Sequence, residues 1–168
     1  VKAASSFGMV IASFMHSGTI ATLMYFGLDW LAPGSFLAVG MLLCALMSMA
    51  TGTAWGTAGT LGVVFIGIGG AMGIPLPIVA GMVICGATFG DKLSPISDTT
   101  NLAPAVTGTD VFSHIQNMMA TTIPAMVIAF LIYIGVGYFV IDTQSVSFEK
   151  IEGITAALED NFYISAWA

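Results

Sequence analysis

Long apolar runs separated by short polar stretches set the pattern of this chain. The first run, 7–28, is long enough to cross a bilayer, which takes about 20 residues in a helix. Further apolar runs follow at 35–50, 58–73 and 123–141. The pattern predicts an all-α polytopic membrane protein built from transmembrane helices.

The two middle runs are too short to cross a bilayer comfortably. They flank 51–57, a polar and glycine-rich stretch. Irregular backbone at membrane depth is tolerated only where it is buried in protein or lines a watery cavity. We therefore predict a re-entrant hairpin over 35–73, with the hydroxyls of Thr51, Thr53 and Thr57 facing the protein interior. Two ordinary spans joined by an exposed loop are the alternative.

The stretch 86–103 holds several polar residues inside apolar sequence. Pro95 lacks a backbone donor and disfavours helix at Ser94, so one smooth helix cannot run through it. We predict a broken helix over 75–107, with the break at 90–98. An apolar helix interrupted by polar residues at mid-depth is typical of the ion and substrate sites of secondary transporters.

Asp98 is the centre of the predicted site. A bare carboxylate is disfavoured in a low-dielectric cavity, so it prefers either a proton or a bound cation. If Na⁺ and H⁺ compete for this group, alternating access yields exchange of one for the other. By analogy with other hard cations, Na⁺ takes oxygen ligands. The predicted ligands are Asp98 and the Asn101 side chain, with further oxygen atoms from Ser94, Ser97, Thr99 and Thr100.

Three further polar groups in the apolar sequence have open roles. Asp91 and Lys92 form either an internal ion pair that holds the break or part of the ion site, with Lys92 neutralising a carboxylate when the site is empty. His16 is either a proton-relay residue or a histidine hydrogen-bonded within the bundle. Charged groups in membrane spans are costly and usually line a path or pair inside the protein.

The remaining chain is predicted to contain membrane-surface and connecting elements. Apolar and polar residues alternate at helical spacing over 110–121, which indicates an amphipathic helix at the membrane surface. A span follows at 123–141, then a polar connector at 142–161. The apolar residues 162–168 read as the start of another span, so we expect the chain to be a portion of a longer transporter.

Composition supports the membrane class and excludes others. The chain is 57% hydrophobic and 7% charged, with a mean hydropathy of +0.98, whereas a soluble domain carries roughly 25% charged residues. Lysine and arginine together number 3, which excludes a nucleic-acid-binding patch. Cys44 and Cys85 stand alone in apolar sequence, which argues against a metal cluster or disulfide framework. We expect no cofactor beyond the transported Na⁺ and H⁺.

Two motifs carry a family resemblance. G-D-K-L-S-P-I-S-D-T-T-N-L-A-P at 90–104, with G-T-D at 108–110, and T-G-T-A-W-G-T at 51–57 resemble the NhaC family of Na⁺/H⁺ antiporters. The resemblance covers most of 7–139. The family usually has serine where this chain has Ala54, which removes one hydroxyl.

The resemblance implies membership of a superfamily of ion transporters in the plasma membrane. Its members have two inverted repeats, each with a re-entrant hairpin and a broken helix, and they typically form homodimers that move substrate by an elevator-like motion. By this resemblance the chain is most of one repeat. Some members exchange Na⁺ and H⁺ together with malate and lactate, so small carboxylates join Na⁺, H⁺ and the lipid bilayer as expected partners.

The expected function is therefore Na⁺/H⁺ antiport rather than enzymatic catalysis. A Na⁺-coupled organic-acid exchanger on the same scaffold is the alternative, with half-helix amides and the hydroxyls of 97–101 holding the carboxylate. An intramembrane aspartyl protease using Asp91 is a third hypothesis. Such enzymes need G-x-G-D, and Thr88 stands at the first position of that motif here.

Overall fold

The computed structural model describes Met9 and residues 33–139 of the chain. Apart from Met9, the predicted span 7–28 with His16 lies outside these residues, as do the predicted connector and the segment after it. The described elements are all helices, which confirms the all-α membrane class. In chain order they are α1 Pro33–Thr51, α2 Ala54–Gly59, α3 Leu61–Ala71, α4 Leu76–Leu93, α5 Asp98–Thr107 and α6 Val111–Phe139.

The turn between α1 and α2 is shorter than the sequence pattern predicts. Only Gly52 and Thr53 lie outside the helices, because Gly52 adopts a left-handed φ of 70° that glycine tolerates without strain. The Thr53 hydroxyl then accepts a hydrogen bond of 3.2 Å from the Gly56 amide and caps α2. The predicted polar loop 51–57 is thus mostly helical, and Thr51 ends α1 while Thr57 lies in α2.

Four segments are long and apolar enough to cross a membrane. They are Gly34–Thr51, Ala54–Ala71, Leu76–Thr107 and Val111–Phe139. The 19 residues of α1 extend about 28 Å, close to the roughly 30 Å of a hydrocarbon core. The arms of the hairpin therefore fit full spans as well as re-entrant arms, and the re-entrant hairpin stays a prediction.

Helix α1 packs closely against α4 because glycines on α4 leave room for its backbone. A Cβ at Gly86 would collide with the carbonyl oxygen of Met41, and a Cβ at Gly90 with that of Ala45. Small residues at helix contacts let backbones approach in membrane proteins, where van der Waals packing replaces the hydrophobic effect. The position of α4 beside α1 is thus set by these glycines.

The core lies where α1, α3 and α4 meet. The rings of Phe36 and Phe65 pack edge-to-face with centroids 5.8 Å apart, an arrangement that aromatic pairs prefer. Apolar side chains from all three helices surround them. The buried cluster consists of Phe36, Leu37, Met41, Cys44, Val64, Phe65, Ile68, Met72, Ile74, Val79, Met82 and Val83.

Helix α6 joins two elements that the sequence pattern separates. The predicted surface helix 110–121 and the predicted span 123–141 share one helix of 29 residues that continues through Pro124. Proline is tolerated inside membrane helices because neighbouring groups satisfy the freed backbone atoms. This helix extends about 44 Å, longer than the roughly 30 Å hydrocarbon core. A surface location for its first turns stays a prediction.

Candidate functional site

The broken helix predicted over 75–107 consists of α4 and α5, which are separated by a four-residue turn closed by a hydrogen bond of 3.3 Å from the Ser97 amide to the Ser94 carbonyl. Residues 94–97 lie between the two helices, with Ser94 and Ser97 in extended backbone conformations and Pro95 between them. Both serines are fully buried. Since α4 ends and α5 begins at this segment, carbonyl groups of one helix and amide groups of the other converge on it.

A buried carboxylate lies at the end of α4. Asp91 is 9% exposed, and its two carboxylate oxygens accept hydrogen bonds from one hydroxyl at the end of the break and one in the first turn of α5. Ser97 Oγ donates to Oδ1 at 2.8 Å and Thr99 Oγ1 donates to Oδ2 at 2.9 Å. The two hydroxyl oxygens are themselves 2.9 Å apart. Asp91, Ser97 and Thr99, hereafter the Asp91 cluster, therefore bring four oxygen atoms together in the membrane segment.

Two polar side chains of α5 bind backbone carbonyls around the break. Thr100, which is buried, donates from Oγ1 to the carbonyl oxygens of Asp91 and Lys92, each at 3.1 Å. Asn101 Nδ2 donates to the carbonyls of Pro95 at 2.7 Å and Ser97 at 2.8 Å. The roles of Thr100 and Asn101 as ion ligands stay predictions. Their hydrogens are engaged in holding the break together.

Asp98, the predicted centre of the site, lies outside this cluster. Its side chain is exposed in the first turn of α5, where the helix dipole favours a negative charge. Ser97, the residue before it, is by contrast fully buried and donates to Asp91. The structure thus assembles hydroxyls around the carboxylate before the break rather than around the one after it.

Lys92 is exposed beside the Asp91 cluster. It makes no ion pair with any carboxylate within residues 33–139, so the Asp91–Lys92 pair considered from the sequence is not formed in this structure. Adjacent residues on a helix point in different directions, which separates the two side chains. Lys92 is also the sole lysine or arginine of 33–139.

A cavity of about 360 Å³ opens beside the Asp91 cluster, between α2 and α4. Most of its wall is apolar, and four polar or charged residues also line it. The lining residues are Ala54, Trp55, Ala58, Ile84, Ala87, Thr88, Asp91, Lys92 and Thr99.

Helix α2 contributes apolar groups to this cavity rather than the predicted hydroxyls. Ala54, Trp55 and Ala58 line it, whereas Thr51, Thr53 and Thr57 are not among its described lining residues. The threonine hydroxyls make local bonds instead: Thr51 donates to the Met47 carbonyl at 2.9 Å and Thr57 to the Thr53 carbonyl at 3.1 Å. The turn itself does reach the break. A Cβ at Gly52 would lie 3.0 Å from the carbonyl carbon of Ile96.

A second cavity of about 400 Å³ lies on the other side of α4, against α6. It shares Ile84, Thr88 and Lys92 with the first cavity, and Thr122 is its polar residue from α6. No carboxylate lines it among the described residues. Lys92 therefore lines both cavities, whereas the Asp91 cluster borders only the first of the two.

The sequence singled out each member of the Asp91 cluster but not their grouping. It missed the cavity and its wall residues Trp55, Ala58 and Ile84. Ala54 could have indicated part of this wall from the sequence. The family resemblance places a serine at this position, and the structure places the residue on the cavity wall.

Half-helices that meet at a buried carboxylate, in a chain of membrane-length apolar helices, define the architecture of a secondary transporter. The chain belongs to the Na⁺/H⁺ antiporter family, whose sequence profile matches residues 1–99 and 86–166. Its helices are those of a multi-pass protein of the plasma membrane.

Curated relatives support the same family. The chain is 43% identical over 159 residues to the Na⁺/H⁺ antiporter NhaC of Alkalihalophilus pseudofirmus, covering 94% of the chain and 34% of that relative. It is 42% identical over 162 residues to the malate-2H⁺/Na⁺-lactate antiporter of Bacillus subtilis, covering 96% of the chain and 34% of the relative. It is 43% identical over 129 residues to the arginine/ornithine antiporter ArcD of Halobacterium salinarum, covering 77% and 27%.

The chain spans about a third of the length of these relatives. Each of the three is named as an antiporter, none as an enzyme. No solved structure matches the chain significantly.

Proposed function

We propose that this chain contributes the ion site of a Na⁺/H⁺ antiporter, and that the site lies at the break between α4 and α5. The observation that carries the proposal is the Asp91 cluster. A carboxylate held 9% exposed by two hydroxyls, within apolar sequence, is costly unless it binds a cation or a proton.

The Asp91 cluster offers the ligands that Na⁺ requires. Hard cations take oxygen ligands, and the cluster supplies two carboxylate oxygens and two hydroxyl oxygens. Each hydroxyl oxygen can turn a lone pair toward an ion while its hydrogen is donated elsewhere. Na⁺ and H⁺ compete for the same carboxylate, so one leaves when the other binds. Alternating access to the two sides of the membrane then gives exchange.

Asp98 enters this proposal as the second carboxylate. Its exposed position leaves it available to groups beyond the described residues, and its negative charge raises the local attraction for cations. A site centred on Asp98, with Asn101 as a ligand, is the form of the hypothesis that the sequence favours. The structural arrangement instead supports Asp91 as the coordinating group.

Variants of the two carboxylates test the proposal. We would reconstitute the full-length protein in liposomes, impose a Na⁺ gradient without organic acid, and follow lumen pH. In the wild type we expect protons to move opposite to Na⁺, so that Na⁺ entry alkalinises the lumen and Na⁺ exit acidifies it. Asp91→Asn should abolish this pH change. Asp98→Asn should retain it with altered Na⁺ dependence. Asp110→Asn is the matched control, since Asp110 is an exposed carboxylate that accepts a hydrogen bond from the Ser113 amide at the start of α6.

The opposite order of effects would transfer the site to Asp98. If Asp98→Asn abolishes exchange and Asp91→Asn retains it, the hydroxyls around Asp91 hold the break rather than the ion. A wild type that moves no protons until an organic acid is added would instead overturn plain antiport.

A Na⁺-coupled exchanger of small carboxylates is the second candidate function. The malate-2H⁺/Na⁺-lactate antiporter of Bacillus subtilis is as similar to this chain as the NhaC relative is, at 42% against 43% identity. The cavity beside the Asp91 cluster favours this candidate, because its apolar wall has no use in binding a bare ion.

A further inference from the structure

We infer that the cavity beside the Asp91 cluster binds a small organic monocarboxylate, with the carboxylate paired to Lys92 and the apolar part against Trp55. The inference deepens the second candidate function and rests on the cation site proposed above. It assigns the anion to Lys92, on α4, rather than to the amides and hydroxyls at the start of α5.

The size of the cavity exceeds the needs of an ion. Its volume is about 360 Å³, which corresponds to roughly a dozen water molecules at about 30 Å³ each. Small-molecule sites have volumes from about 300 Å³ upward, so this cavity fits a ligand at the small end of that range.

The wall of the cavity has the chemistry of an organic-ligand site. Alanine, isoleucine and tryptophan side chains make most of it, and a few polar and charged side chains complete it. Trp55, the largest side chain of α2, is 81% exposed, so the described residues leave most of its ring open to a ligand. An aromatic face supplies large contact area at low conformational cost.

The positive charge of Lys92 favours a negatively charged ligand. A lysine within apolar membrane sequence is costly and normally pairs or lines a substrate path. The oxygens of Asp91 are bound by Ser97 and Thr99, and Lys92 makes no ion pair within the described residues. Its ammonium group is therefore open to an anion that enters the cavity, and a charge-assisted hydrogen bond to a carboxylate is the strong pairing available to it.

The charged groups at the cavity favour a ligand that carries one negative charge. Asp91 and Na⁺ cancel, and Lys92 and one carboxylate cancel, so the loaded cavity is neutral. A dicarboxylate would add an unpaired negative charge in a low-dielectric environment, which is unfavourable. The described residues hold no arginine that could form a bidentate pair with it. The second cavity lacks a carboxylate among its described lining, so an anion bound there would have no Na⁺ beside it.

The experiment is a calorimetric titration of the purified full-length protein with butyrate, and with succinate, which has the same number of carbon atoms. We expect butyrate to bind in Na⁺ and at least about tenfold more weakly when choline replaces Na⁺, and succinate to bind at least about tenfold more weakly than butyrate. Lys92→Met should weaken butyrate binding by about tenfold or more, the effect of losing a charge-assisted hydrogen bond, whereas Lys92→Arg keeps the charge and most of the affinity.

Two further variants locate the ligand. Trp55→Ala should weaken butyrate binding because it removes the largest apolar side chain from the wall of the first cavity. Thr122→Val should not, because Thr122 borders the second cavity alone. Melting temperatures of all variants distinguish a lost site from a lost fold, and Trp55 is exposed enough to be replaced safely.

Three results would overturn the inference. They are equal butyrate binding by Lys92→Met and wild type, succinate binding as tight as butyrate binding, and loss of binding with Thr122→Val but not with Trp55→Ala. Absence of butyrate binding by a protein that still exchanges Na⁺ for H⁺ rejects this inference and leaves the proposed antiport intact. Absence of both activities rejects the ion site as well.

Discussion

Ser48 of α1 donates a hydrogen bond of 2.6 Å from its hydroxyl to the carbonyl oxygen of Ala87 on α4. Ser48 is fully buried, and Ala87 lines the cavity beside the Asp91 cluster. The bond therefore connects α1 directly to the helix that carries the buried carboxylate.

Ser48→Ala should destabilise the protein by about 1 kcal/mol, the typical net worth of one such hydrogen bond. The measurement is thermal unfolding of the full-length protein in detergent. Thr51→Val is the control, because its exposed hydroxyl donates within α1 to Met47 and does not connect two helices. A Ser48→Ala variant as stable as the control would show that the helix contact does not depend on this bond.

Gly90→Ala should be more damaging than the loss of any single hydrogen bond at this contact. The added Cβ would collide with the Ala45 carbonyl and lie 2.8 Å from the Met49 amide nitrogen. Since these atoms belong to backbone, α1 and α4 must separate, at a cost of about 1–3 kcal/mol that is typical of overpacking.

Gly135→Ala is the matched control for Gly90→Ala. Gly135 lies in α6 with nothing within 4 Å of an added Cβ, so alanine there should stabilise the helix by up to about 1 kcal/mol. Equal melting temperatures of the two variants would contradict the close approach of α1 and α4.

Thr100→Val should weaken Na⁺ binding although Thr100 does not contact the ion in this proposal. The hydroxyl of Thr100 holds the carbonyls of Asp91 and Lys92, and valine keeps its shape but not its donor. We expect the Na⁺ concentration for half-maximal exchange to rise by about tenfold, which corresponds to roughly 1.4 kcal/mol. Thr107→Val, which removes an exposed hydroxyl bonded to Ala103 on the same helix, should leave it unchanged.

Ala54→Ser should increase the apparent affinity for Na⁺. The added hydroxyl would stand on the wall of the cavity that Asp91 and Thr99 border, where it can supply another oxygen. The expected change is a severalfold decrease in the Na⁺ concentration for half-maximal exchange. Ala103→Ser, an exposed position of α5 away from the described cavity lining, is the control. An unchanged Na⁺ dependence in Ala54→Ser would place the ion out of reach of α2.

The division of 75–107 into two half-helices follows from residues that act locally. Pro95 cannot donate and restricts Ser94, and these constraints hold wherever the chain folds. The grouping of polar side chains is not local. The direction in which the chain leaves α4 decides whether the hydroxyls donate to Asp91 or to Asp98. Ser97 and Thr99 come within hydrogen-bond distance of Asp91 only once the break has folded.

Two element boundaries differ from those that the sequence pattern predicts. A polar, glycine-rich stretch looks like a loop at 51–57, yet the left-handed φ of Gly52 completes the turn within two residues and helix resumes at Ala54. The boundary predicted between 121 and 123 is absent, because α6 continues through Pro124. A glycine that completes a tight turn and a proline that stays within a helix thus both leave more of the chain helical than the residue types suggest.

The hydrogen bonds of Thr100 and Asn101 make the break a stiff joint. Bending between α4 and α5 would break the hydrogen bonds donated to the carbonyls of Asp91, Lys92, Pro95 and Ser97, and the loss is most costly at the buried Asp91 carbonyl. Such a joint transmits displacement from one helix to the other instead of absorbing it. An ion bound at Asp91 would therefore move together with α4 and α5 as one rigid unit. Its release would depend on the surroundings that this unit reaches rather than on a change within the site.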